Sequence, residues 1–96
     1  MNMVIYEIVA HMEHEFKDER EALLYYQSIL PEFKKGFPGI KEANIKLMDN
    51  KMIMEFRSFS ISRLRAILNS INRWLISMSD VIKYTEVEKI GATTSS

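Results

Sequence analysis

The chain of 96 residues contains no cysteine, so a disulfide framework and a thiolate zinc site are both excluded. That absence suits a reducing, cytoplasmic compartment. It has only 3 glycines, Gly36, Gly39 and Gly91, too few and too scattered for a phosphate-cradling loop of either common type. Its 2 histidines both fall in the first 14 positions, so no nucleophile–base pair can be assembled with a later serine, and no G-x-S-x-G turn is present. No apolar run approaches the roughly 18 residues of a membrane span. The start, Met1-Asn2-Met3-Val4, has neither the charged region nor the long apolar region of a secretory leader. The expectation is one noncatalytic domain over 1–90, without membrane or cofactor, and a small polar tail at 91–96 that reads as disordered.

Net charge is zero, from 13 basic and 13 acidic side chains, which by itself points to no nucleic-acid partner. The balance is uneven along the chain. Residues 1–50 carry 6 basic and 9 acidic groups, whereas residues 51–83 carry 6 and 2. An electrostatic partner would have to recognise a face.

Alternation over the first segment puts Val4, Tyr6, Ile8, Ala10 and Met12 on one side of a strand. Asp18-Glu19-Arg20-Glu21 reads as a helix start, acidic where the dipole favours it. Ala22, Tyr26, Ile29 and Phe33 form its apolar stripe, and Pro31 predicts a kink or stop near Leu30. Asp49-Asn50 suits a two-residue turn, joining Ala43–Met48 to Lys51–Ser58 as a hairpin. That register pairs Leu47 with Met52, Ile45 with Met54 and Ala43 with Phe56 on one face. On the other it pairs Glu42 with Arg57 and Asn44 with Glu55.

Ser58 or Ser60 can cap a second helix, in which Ile61, Leu64, Leu68, Ile71, Leu75 and Met78 repeat at three- and four-residue steps. Ile67 and Trp74 flank this seam. At about 100° per residue the apolar arc spans roughly 160°, wider than the ~100° stripe that covers one sheet. The excess predicts a partner helix against Leu64, Ile67, Leu68, Ile71, Trp74 and Leu75. Arg63, Arg65, Asn69 and Arg73 lie on the polar side, a solvated face or a set of phosphate contacts. Val81–Ile90 is β-prone and reads as a short strand or a helix extension.

The order strand, helix, strand, strand, helix predicts an α+β fold: a three-stranded antiparallel sheet with both helices on one face. Met3, Ile5, Val9, Met48 and Ile53 would then lie on the open face, a patch that calls for cover. His11, Glu13 and Glu15 share a strand face, but ligand type and spacing fit a metal poorly and a polar face well.

The run Ser62-Arg63-Leu64-Arg65-Ala66-Ile67-Leu68-Asn69-Ser70-Ile71-Asn72-Arg73-Trp74-Leu75 resembles the "SLRAxLNSxxRW" helix of the CTAG/Pcc family, the small dimerisation subunit of the KEOPS complex. Tyr26-Gln27-Ser28-Ile29-Leu30-Pro31-Glu32 is similar to that family's "YxSLxPE". The resemblance implies a noncatalytic subunit of the archaeal-type cytoplasmic machinery that makes threonylcarbamoyladenosine in tRNAs reading ANN codons. It further implies pairing with itself or a paralogue, and bundling with helices of a separate ATP-binding catalytic subunit. Either the standard member or its divergent second paralogue fits. Positional matching makes Arg65, Asn69, Arg73 and Trp74 the interface or tRNA-proximal residues. Two rivals remain: a stand-alone RNA-binding domain using Arg63, Arg65 and Arg73, and a small ligand-binding domain of ferredoxin-like half type.

Overall fold

A computed structural model describes the backbone of residues 6–94 and the side chains of residues 6–79. The elements are β1 (Ile8–Glu15), α1 (Glu19–Lys35), β2 (Glu42–Met48), β3 (Lys51–Ser58) and α2 (Ile61–Thr94). They form the expected α+β arrangement, an antiparallel sheet in the order β1-β3-β2 covered on one face by both helices.

The sheet is ordered by side-chain alternation. Met52, Met54 and Phe56 of central β3 are fully buried, and their register partners Met12, Ala10, Leu47, Ile45 and Ala43 pack beside them. The hairpin has the predicted register, with Glu42 opposite Arg57 and Asn44 opposite Glu55. Asp49 supplies the turn's positive φ of 55°.

β1 begins only at Ile8, so Tyr6 lies before the strand and is 74% exposed instead of joining the core face. Val4 on that expected face, and Met3 and Ile5 on the opposite one, fall outside the described residues. Among the described residues the open sheet face is not an apolar patch. Val9, Ile53 and Met48 occupy different rows, set among His11, Glu13, Glu55, Arg57 and Lys46. Single apolar residues in a charged lattice do not demand cover.

The first helix is capped by Asp18, whose carboxylate accepts from the Glu21 amide at 2.8 Å. It neither stops nor breaks at Pro31 but continues to Lys35. Pro31 is exposed, so the Gln27 carbonyl four residues back, whose bond it removes, is on the solvent side. Beyond it, buried Phe33 anchors the last turn, and the Gly36 amide donates to the Glu32 carbonyl at 3.0 Å. The second helix is capped by Ser60, whose hydroxyl accepts from the Arg63 amide at 3.3 Å. It passes through 81–90 as a helix extension and on to Thr94, four residues into the tail expected at 91–96, while 95–96 lie outside the described residues.

Candidate partner-docking surface

The two helices stand over different strands. α1 lies mainly over β2, with some contact to β3, while α2 lies over β3. A groove of about 480 Å³ opens between them. Ile29 of α1 with Ile67, Ile71 and Trp74 of α2 make its apolar floor, and Phe37 and Pro38 also line it. Its remaining walls carry Ser28, Glu32, Arg63, Ala66 and Ser70. Small side chains at Ser28, Ala66 and Ser70 keep it open. Arg63, Ile67, Ser70 and Trp74, spaced four, three and four, form one line along α2 facing it.

The only tryptophan is held from beneath by an aromatic chain. His14 tilts on Phe16 at 4.5 Å, Phe16 on Tyr25 at 4.5 Å, and Tyr25 meets Trp74 edge-on at 5.8 Å. Trp74 therefore presents a fixed, half-buried ring to the groove.

The six apolar positions expected to meet a partner divide in two. Leu64, Ile67, Ile71 and Leu75 are buried within the chain's own core, at 3%, 8%, 2% and 8% exposure. Leu68 and Trp74 are half-buried and retain open surface. Ile67 and Ile71 still reach the groove floor. Ile61, expected in the seam, is instead 53% exposed, because the core line is rotated toward Ile67 and Trp74. Residues the periodicity did not single out for contact are also open: Phe59, Ile76, Leu23 and Leu24. Ile76 lies outside the three-four alternation, and that irregularity is its only sequence signal.

Of the polar set, Arg63 joins the groove wall, while Arg65, Asn69 and Arg73 occupy the solvent side of α2. Arg73 donates to the Ser70 hydroxyl at 3.4 Å. The sheet's other face holds the densest charge cluster. Arg57 lies within 3.3 Å of Glu7, 3.2 Å of Glu55 and 3.6 Å of Glu42, and Lys41 is 2.9 Å from Glu7. The Lys41 and Arg57 hydrogen bonds hold the Glu7 carboxyl below its ordinary value, and Glu7 and Glu55 in turn raise the Arg57 guanidinium. Nearby, His11 and Glu13 approach to 3.5 Å on an exposed face. Among the described residues no group of three metal-ligating side chains converges, and no helix is long and apolar enough to cross a membrane.

The geometry is that of a small βαββα domain with an open interhelical groove and a core-anchored tryptophan. The family model described as transcription factor Pcc1 matches residues 9–83, from β1 into α2, so the chain belongs to the CTAG/Pcc family of KEOPS subunits. Members of that family are noncatalytic accessory subunits associated with tRNA processing. No curated protein matches the chain.

Proposed function

We propose that this chain is the noncatalytic dimerisation and assembly subunit of a KEOPS complex. In this reading it docks helices of the ATP-binding catalytic subunit that makes threonylcarbamoyladenosine in tRNAs reading ANN codons. The observation that carries the reading is the groove between α1 and α2, about 480 Å³ with an apolar floor of Ile29, Ile67, Ile71 and Trp74. An apolar helix ridge laid there would complete a three-helix layer over the sheet. Leu24, 48% exposed and one turn before Ser28, extends the apolar surface that a helical partner can use, whereas Ile76, 63% exposed, lies on the solvent-side stripe of α2 with Arg65, Asn69 and Arg73. Arg65, Asn69 and Arg73 stay on the solvent side of α2, where they would face tRNA phosphates in the cytoplasmic assembly. A second copy or a family paralogue completes the dimer.

Co-purification with the catalytic subunit tests the reading. The two chains should elute together, and docking should shift Trp74 emission to shorter wavelength as water leaves the groove. Ser70→Glu, an exposed position at the groove wall, should abolish co-elution without unfolding the chain. Failure of the native chain to associate, or full association of the Ser70→Glu variant, would sink the proposal. If the isolated chain instead bound RNA with a steep salt dependence, the stand-alone RNA-binding reading through Arg63, Arg65 and Arg73 would replace it.

A further inference from the structure

We infer that the groove between α1 and α2 selects its occupant by charge, taking a helix that is basic on the flank facing α1 and acidic on the flank facing α2. Glu32 and Arg63 read the two flanks, and together they set the direction in which the helix lies. The inference rests on the docking reading proposed above and gives that partner a charge pattern.

Among the described residues that line the groove, two carry charge: Glu32 on α1 and Arg63 on α2. They stand at the same end of it. Glu32 lies in the last turn of α1 and Arg63 in the first turn of α2, and the close approach of Gly39 to Arg63 joins those two ends. Neither side chain forms an ion pair or hydrogen bond among the described residues, with the other or with anything else. Arg57, by contrast, is held by three carboxylates. Arg63 is nevertheless seated. Its aliphatic stem crosses Gly39 so closely that a Cβ there would stand 2.6 Å from Cγ and Cδ and 2.9 Å from Nε. The Gly39 carbonyl is in turn bonded by the buried Ser58 hydroxyl at 2.7 Å. That seat leaves the guanidinium at the groove wall with less rotamer freedom to lose on binding.

Both charges also have the wrong sign for the helix end that carries them. A helix C-terminus favours cations and an N-terminus favours anions. Elsewhere α1 follows this rule, with Glu19 and Glu21 in its first turn and Lys34 and Lys35 in its last. Glu32 breaks it. So does α2, whose first turn holds Arg63 and no acidic residue. A local rule broken at both walls of one groove, with no compensation inside the chain, is expected where a partner supplies it.

A helix seated on Ile29, Ile67, Ile71 and Trp74 lays its apolar ridge on the floor and turns one flank to each wall. A lysine or arginine on the α1 flank would meet Glu32. A carboxylate on the α2 flank would meet Arg63, whose planar fork suits it. Turning the helix end for end exchanges its flanks and carries these charges toward Ser70 and Trp74, leaving Glu32 and Arg63 unanswered. The apolar floor alone makes no such distinction between the two directions.

Calorimetric titration of native and variant chains with the catalytic subunit tests the pattern. Arg63→Glu and Glu32→Arg should each weaken association about tenfold or more, because each sets like charges together. The exchanged double variant, Glu32→Arg with Arg63→Glu, should bind weakest of all. If the two residues served only to attract each other across the groove, the exchange would restore native affinity, and that result would overturn the inference. Native association should weaken from about 0.1 M to about 1 M salt, and Glu32→Gln with Arg63→Gln should lose most of that dependence. Urea unfolding of each isolated variant controls for misfolding. Each reversal places a favourable charge at a helix end, so stability should hold or rise while affinity falls. Affinity lost only in step with stability would overturn the inference. A native complex indifferent to both reversals would overturn it too, yet leave groove docking intact, since Ser70→Glu tests docking itself. No native complex at all would end the docking reading and this inference with it.

Discussion

Gly39 lies directly beneath the side chain of Arg63: a Cβ at position 39 would stand 2.6 Å from both Cγ and Cδ of that arginine. Gly39 also has a φ of +76°, which an L side chain rarely adopts. The turn after α1 is thereby joined to the first turn of α2, and Arg63 is held at the groove wall. Gly39→Ala should cost roughly 1–2 kcal/mol for the left-handed backbone, with the flexible arginine turning aside to relieve the collision. Denaturant unfolding should report that loss. The affinity for a groove partner should fall further than it does in Gly36→Ala, whose φ is +87° but whose surroundings are open.

Ser58 binds the same corner from inside the sheet. Its hydroxyl donates to the Gly39 carbonyl at 2.7 Å and accepts from the Ser60 amide at 3.0 Å, at 1% exposure. Ser58→Ala leaves both backbone groups without this partner where water has little access. A loss of about 1–3 kcal/mol is expected. Ser60→Ala, which removes the cap hydroxyl on the Arg63 amide, should cost about 1 kcal/mol. The two serines, on either side of Phe59, thus have different duties, and thermal unfolding of the single variants separates them.

Apolar positions on α2 should sort by where their side chains end. Leu64→Ala and Ile71→Ala open cavities among Met52, Met54, Phe56 and Ile29, and each should cost about 2–5 kcal/mol. Ile61→Ala and Ile76→Ala remove exposed surface and should change stability by less than about 0.5 kcal/mol. If Ile76 serves a partner, its alanine variant should fold normally and associate weakly. Equal destabilisation of all four would contradict the burial pattern.

The hairpin register was legible because two independent signals agreed, apolar pairs on one face and opposite charges on the other. Glu42 with Arg57 could not be satisfied by a one-residue slip without exposing Met54 and Phe56. Of the kink or stop that Pro31 predicts, the stop fails, because the carbonyl left without its bond faces solvent and the helix runs on to Lys35. Helix periodicity located the α2 core line to within about one position, yet placed Ile61 in it and Ile67 beside it, since neighbouring lines on a helix differ by only about 100°. The groove was not legible at all. It arises from α1 and α2 standing over different strands, a long-range relationship that no local pattern of Ser28, Ala66 and Ser70 encodes.

The carboxylate of Glu7, bonded to Lys41 at 2.9 Å and Arg57 at 3.3 Å, gives the fold a small acid-sensitive contribution. Its pKa is lowered from the ordinary 4.5, chiefly by the Lys41 hydrogen bond. On acidification the unfolded chain therefore takes up this proton before the folded chain does. The stabilisation is complete above 4.5 and is lost as the pH falls through the lower, folded-state value. Glu7→Gln removes it. The stability difference between native and variant should be constant from neutral pH down to about 5, then shrink as the native carboxyl is protonated. Because the pair is exposed to water, the difference should be small and should shrink further in 1 M salt, where the screening length is only about 3 Å. Urea unfolding across this range measures it, and a difference that held constant into strong acid would show that Glu7 acts through packing and not through its charge.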